Sequence, residues 1–405
     1  MEKLELKKLR SQVKQKNNKL HTIIIRRLKI VFLLLIIQAE VSYAQTNKAY
    51  PKFSWDKVPL VFHFRKHDTL LSLKEAKFIS ERSNFMVFEK AHGQLPGGAF
   101  TEQAILNDAK VLKKLNPDMK VIFYWNTLLD YPFYEASSVF NEHPEWWLKK
   151  SDGTIDFKRN STLKKYDLSN KKLRKWWVKV VKKAVNNPHI DGVFMDAFNQ
   201  VKAPFNLKNW GQEKFDAMNR GLDALVNETN AALDADKITI WNGIRSTLHR
   251  VVGNDYLESM NAVMIEHFGH FHSASPQSML SDLELMDEAA KAGKIVVFKA
   301  WPGFTWLDKE QMALPLEEKQ QIARQHIEFP LAAFLIAAQE HSYFIYNWGY
   351  RMDFGSLEWY PELDKPLGKP LEDYEKNGFI FTRKYEHASI YLDLKETKNT
   401  KITWY

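Results

Sequence analysis

Residues 190–198 read Ile-Asp-Gly-Val-Phe-Met-Asp-Ala-Phe, an apolar run of strand length punctuated by two aspartates. The run is too short for a stable helix, and its apolar positions are consecutive rather than alternate. That pattern suits a parallel strand covered on both faces. Seven further runs of this kind occupy residues 58–64, 84–90, 119–126, 238–244, 261–268, 294–302 and 341–348. Helical patterns separate them, which predicts βα units and an all-parallel sheet. Eight strands at this spacing predict an α/β fold of the closed (β/α)8, or TIM-barrel, type rather than a doubly wound sheet, although an eighth helix is not visible.

The helices carry their own punctuation. Ser72-Leu-Lys-Glu75 is a capping box, Thr101 caps a second helix, and Ser275-Pro276 opens one that Gly293 closes. Leu173, Trp176, Trp177, Val180, Val181, Ala184 and Val185 form an apolar stripe at helical spacing. The lysines and arginines around it, in KKLRKWWVKVVKK, read as the solvated face of that helix rather than as a nucleic-acid site. A long helix over 316–339 contains Pro330, where a kink is expected. Residues 349–376 show no helical pattern. From Gly378 the chain runs through FIFTR, ASIYLDL and ITWY, which predicts a small antiparallel sheet.

The first 44 residues read as a secretory signal. Arg26, Arg27 and Lys29 precede an apolar stretch, and small residues lead to a cleavage site after Ala44. The stretch is far shorter than the ~20 residues that span a bilayer, so no membrane attachment is expected after cleavage. The expected organisation is a signal peptide over 1–44, a catalytic barrel over 45–365 and a β-rich extension over 366–405. The whole chain carries a formal charge of +9, but residues 45–405 hold 48 basic against 46 acidic side chains. A strongly basic surface for nucleic acid or acidic lipid is thereby excluded. The chain has no Cys, which fits a periplasmic or secreted protein without disulfides.

In an eight-stranded barrel the active site lies at the C-terminal ends of the strands. Asp191 falls at the opposite end of its strand and reads as structural. Asp196 ends the fourth run and Glu266 the sixth, so the two carboxylates should converge over the mouth. Two carboxylates are what glycosidic cleavage needs: one acid to protonate the leaving oxygen, and one carboxylate to attack the anomeric carbon or activate water. Spacing in sequence leaves retention and inversion both open. The other strand ends supply Glu89 and Lys90, Trp125 and Asn126, Trp241 and Asn242, His267, Lys299 and Trp301, and Asn347 and Trp348. Aromatic faces pack on the C–H surface of a pyranose and the polar groups bond its hydroxyls, so these are candidate substrate contacts. No metal or other cofactor is expected.

The segments FHFRK, MKVIFYWN, YDLSNKKLRKWW, DGVFMD and FTRKYEHASIYLDL resemble the glycoside hydrolases grouped as hypothetical glycosyl hydrolase family fifteen. YDLSN…RKWW followed by DGVFMD is also similar to retaining α-glycosidase barrels such as α-galactosidases and dextranases. That resemblance implies an α-linked substrate, Asp196 as nucleophile and Glu266 as general acid/base. Asn242 stands where the α-amylase pattern would place its acid, and Glu266 is longer than the α-galactosidase Asp. Two other readings compete. One is a non-catalytic carbohydrate-binding barrel that keeps the aromatic rim. The other is a metal-dependent hydrolase built on His267, His270 and His272, although H-x-x-H-x-H matches no established ligand spacing.

Overall fold

Eight parallel strands, hydrogen-bonded in sequence order, form the centre of the protein: β1 Phe62–Phe64, β2 Phe85–Phe88, β3 Lys120–Asn126, β4 Gly192–Asp196, β5 Ile238–Ile244, β6 Ala262–Ile265, β7 Ile295–Ala300 and β8 Ser342–Tyr346. The computed structural model describes residues 49–94, 100–244 and 255–405. The expected export signal lies outside the described residues. Tyr50–Tyr405 make up one unit, and no helix among the described residues is long and apolar enough to cross a membrane.

The barrel closes between its first and last strands. Val61 N–H donates to the Phe344 carbonyl at 3.2 Å, and Phe344 N–H donates to the Pro59 carbonyl at 2.8 Å. Both faces of the strands are buried, β1 through β4 included, apart from the terminal Lys120 and Asp196. Continuous apolar runs are therefore what the fold requires. The runs overshoot the strands because their last residues turn outward. At β4 the turn is Ala197, whose φ of 56° lies in the left-handed region. Phe198 then begins the short helix Phe198–Val201. Gly192 opens β4 because the β5 backbone passes so close that a Cβ there would meet the Ile238 carbonyl oxygen at 2.0 Å. Asp191, at the opposite end from the mouth, accepts from Val121 N–H at 2.8 Å and pairs with Lys113 at 2.7 Å.

Most helices follow the sequence signals. Ser72 and Glu75 form the capping box of Leu73–Ser80. Ser275 and Pro276 open Pro276–Lys291. The helix Lys171–Val185 buries Leu173, Trp177, Val181 and Val185 against the barrel, with Asn170 as its cap. Thr101 differs: it is the first helical residue of Thr101–Leu115, and Phe100 holds the cap position without a side-chain bond. The long helix over 316–339 is two helices, Leu316–His326 and Glu328–Ala337. The break falls at Ile327, which places Pro330 in the first turn of the second helix, where its missing N–H costs nothing.

The C-terminal strands Glu375–Asn377, Ile380–Lys384, Ala388–Asp393 and Lys401–Trp404 form a separate antiparallel sheet. It ties down both ends of Glu328–Ala337. Buried Arg383 donates through Nη1 to the carbonyls of Leu335, Ile336 and Ala338 at 3.1, 2.9 and 2.6 Å. The Tyr385 hydroxyl donates to the Leu335 carbonyl at 2.7 Å. At the other end, Ile402 N–H donates to Glu328 Oε1 at 2.9 Å. A cation at the helix C-terminus and a carboxylate at its N-terminus both complement the helix dipole. Arg383→Ala strands these carbonyls in an apolar setting and should cost about 3 kcal/mol of unfolding free energy. Urea unfolding measures it, and a loss below about 1 kcal/mol would remove Arg383 from this role.

Candidate active site

A cleft of about 600 Å³ opens over the C-terminal ends of the strands, and Asp196, Glu266, Asn126, Glu89, Lys90 and His267 all line it. Asp196 leaves β4 with its carboxylate turned into the mouth. Its Oδ2 accepts from the Tyr124 hydroxyl and, at 3.3 Å, from Asn126 Nδ2. Glu266 follows β6; its Oε1 accepts from the Tyr350 hydroxyl at 2.8 Å, and His267 Nε2 lies 3.2 Å from Oε2. One amide joins the two acids. Asn242 Nδ2, from β5 between them, donates to Asp196 Oδ1 at 2.9 Å and to Glu266 Oε2 at 2.8 Å, so these oxygens stand no more than 5.7 Å apart.

Both phenols are fixed as donors. Burial raises the Tyr124 hydroxyl well above the ordinary tyrosine range, and the negative charge of Asp196 adds to it. Burial does the same at Tyr350, with Glu266 as the neighbouring charge. Each hydroxyl thus keeps its proton at neutral pH and presents it to a carboxylate.

A buried ion pair sits beside this centre. Lys90 Nζ is 2.7 Å from Glu89 Oε2, and His63 Nε2 is 3.3 Å from the other oxygen. Burial alone would raise Glu89, but the charges of Lys90 and His63 outweigh it and hold the carboxyl below its usual range. Burial would likewise depress Lys90; Glu89 overcomes it and pushes the ammonium up. The ammonium also sits over the Tyr124 and Tyr131 rings, 4.8 and 5.6 Å from their centroids.

The remaining wall divides into two arcs. Arg65, Lys90, Lys158 and Arg351 bring positive charge, and Phe271, Trp306 and Leu307 bring apolar surface. Tyr131 and Phe133, stacked at 6.0 Å, add a second aromatic edge. Tyr131, Phe133 and Lys158 come from the long β3 loop, which folds on itself through antiparallel bridges such as Leu129 to Lys165 and Phe157 to Lys164.

The other sequence-selected residues lie around the site without lining the cleft. Trp125 packs on Tyr134 and Trp176, Trp241 on Tyr256, and Trp348 on Phe304, all three buried. Trp301 is buried too, and its indole N–H donates to the Glu266 carbonyl at 3.0 Å. Asn347 bonds Ser356 at 3.1 Å. Lys299 is buried and donates to the carbonyls of Ala300 and Asn347 at 2.8 and 2.6 Å. Burial holds its ammonium well below the ordinary lysine range, and the charge of Glu266 opposes that only in part. Neighbours along a strand point to opposite faces, so Asn126 and Trp125 cannot share the mouth, nor can Asn242 and Trp241. Tyr124 and Tyr350 escaped sequence reasoning. Counting back by two from Asn126 would have reached Tyr124.

His267, His270 and His272 do not converge on a common point of coordination: among the described residues, no group of three or more His, Asp or Glu side chains is placed to hold a metal ion.

A closed parallel barrel with two carboxylates over its mouth fits a hydrolase of glycosidic bonds. The family model described as hypothetical glycosyl hydrolase family 15 matches residues 113–389, and the chain belongs to that family and is a glycoside hydrolase. Among solved structures, the glycoside hydrolase domain of PelA from Pseudomonas aeruginosa is similar, at 15% identity over 75% of this chain and 96% of that one, with a TM-score of 0.45. An α-amylase from Geobacillus thermoleovorans gives 11%, 84% and 86%, with a TM-score of 0.47. An α-galactosidase from Thermus thermophilus gives 14%, 87% and 70%, with a TM-score of 0.44. No curated protein matches the chain.

One pH effect follows from the histidines. Burial, reinforced by the charge of Lys299, lowers His270 to about 4. An unfolded chain binds that proton near 6.5, so the unfolded state gains protons first as pH falls. His270 therefore costs stability progressively between about pH 6.5 and 4. His270→Asn should flatten the fall of unfolding free energy across that window; an NMR titration of His270 centred near 6.5 would contradict it.

Proposed function

We propose that this hydrolase is exported and cleaves an α-linked oligo- or polysaccharide with net retention, using Asp196 as nucleophile and Glu266 as general acid/base. The observation that carries this reading is the Asn242 amide shared by both carboxylates. The two N–H bonds of a planar amide diverge by about 120°, so acceptors on both stand about 5 Å apart. Retaining glycosidases space their carboxyls about 5–5.5 Å apart, whereas inverting enzymes need about 6.5–9.5 Å to admit a water.

The roles rest on the resemblance to retaining α-glycosidase barrels. Tyr124, Asn126 and Asn242 all donate to Asp196. These donors hold and orient the carboxylate that attacks the anomeric carbon. Glu266 gives its proton to the leaving oxygen as that bond breaks. In the second half it takes a proton from water, which attacks the anomeric carbon and frees Asp196. Tyr124 and Asn242 then stabilise the departing carboxylate. The α-linkage rests on the sequence resemblance of YDLSN…RKWW and DGVFMD, and export on the signal-like pattern of residues 1–44.

Asp196→Asn and Glu266→Gln should each lower kcat by about 10²–10⁴-fold or more, with thermal unfolding near that of the parent. Proton NMR of the first sugar released should show the α-anomer; the β-anomer would overturn retention. Export has its own measurement. Protein recovered from the periplasm or medium should begin at Gln45, and recovery only from the cytoplasm with residues 1–44 attached would refute it.

A further inference from the structure

We propose that the substrate of this site is an acidic saccharide, and that Arg65 and Lys158 recognise a carboxylate or sulfate group on it. The inference rests on the glycosidase reading of the cleft and adds the chemical class of sugar. Four cationic side chains line the cleft, Arg65, Lys90, Lys158 and Arg351, against three acidic ones, Glu89, Asp196 and Glu266. Two of the four are already neutralised. Lys90 is paired with Glu89 at 2.7 Å. Arg351 meets Asp353 through two bonds of 2.9 and 2.7 Å. Among the described residues, the Arg65 guanidinium and the Lys158 ammonium have no hydrogen bond or ion pair of their own.

Their surroundings leave both cations short of negative charge. Burial lowers Arg65, and Arg351 adds to that, so that Glu89, Asp353 and Asp68 do not restore it. Partial desolvation at the cleft wall and the charge of Lys90 lower Lys158, whose side chain is otherwise exposed, and Asp196 opposes them. A bound anion would relieve both. A guanidinium offers the planar fork that matches a carboxylate or sulfate. A neutral sugar would leave the two positive charges facing its hydroxyls.

Position supports the same conclusion. Arg65 follows β1 and is bridged to Arg351 beyond β8, whereas Lys158 hangs from the β3 loop close enough to Asp196 to feel its charge. The basic arc therefore runs from β8 through β1 and β2 toward β3, across the mouth from Asn242 on β5. The apolar arc of Phe271, Trp306 and Leu307 is left for the uncharged face of a sugar ring. A saccharide held between the arcs presents its anionic group to the first and its C–H face to the second.

The test uses the Asp196→Asn protein, in which binding is read without turnover, and oligosaccharides of matched length. Three ligand sets separate the sources of charge: oligouronides, sulfated oligogalactosides and neutral oligogalactosides. Calorimetry at low salt should show one acidic set bound at least tenfold more tightly than the neutral set. That preference should shrink as salt rises. Arg65→Gln with Lys158→Gln should erase it while thermal unfolding stays near that of the parent. Lys158→Glu, an exposed substitution, gives the same reading if the double variant folds poorly. Equal affinity for all three sets, or a preference that survives loss of both cations, overturns the proposal. The wild-type protein separates the two readings. Cleavage of neutral sugars without acidic preference removes only the acidic-substrate inference. Tight acidic binding with no bond cleavage in any set removes the roles given to Asp196 and Glu266.

Discussion

Two backbone hydrogen bonds on either side of Phe344 turn an eight-stranded sheet into a closed wall. Without closure, β1 and β8 would be edges and their C-terminal ends would splay apart. With it, residues far apart in sequence meet over one mouth. Tyr350 reaches Glu266 across 84 positions, and Tyr124 reaches Asp196 across 72. Closure also forces the inward face of each strand to be filled by alternate residues. A polar group at a strand's end, such as Asn126 above Tyr124, is then the last member of an inward column whose lower members are core.

The site is framed by cations, and Asp196 is held by groups that do not change charge. Phenols and amides supply donors to both Asp196 and Glu266, fixed in place before substrate arrives. A charged pair stands one layer away, Glu89 with Lys90 beside Asp196, and the buried Lys299 amine lies behind Glu266. Among the described residues the Lys299 amine donates hydrogen bonds only to backbone carbonyls, which ties the end of β7 to the residue after β8.

Much of this could be read from the chain. Doubly covered strands must be apolar throughout, so all eight announced themselves, and Asp196 and Glu266 stood out as charges where apolar runs ended. Strand limits were less legible, because a turn such as that at Ala197 depends on backbone conformation rather than on residue type. The tryptophans show a different limit. Trp-Asn at two strand ends resembles a sugar-binding rim, yet only one member of each pair can face inward, and in both cases it is the Asn. Tyr124 was hidden because a tyrosine within an apolar run reads as core. Tyr350, Arg65 and Lys158 lie beyond strand ends, where no periodicity guides the eye.

The capping of Glu328–Ala337 by Arg383 bears on the order in which the chain can fold. The carbonyls of Leu335, Ile336 and Ala338 receive their side-chain donor only from a residue more than forty positions later. During synthesis this helix and β8 emerge first, and they must wait with exposed ends until the terminal sheet arrives. The barrel wall can close before residue 383 is made, but the C-terminal end of this helix gains its side-chain donors only after it.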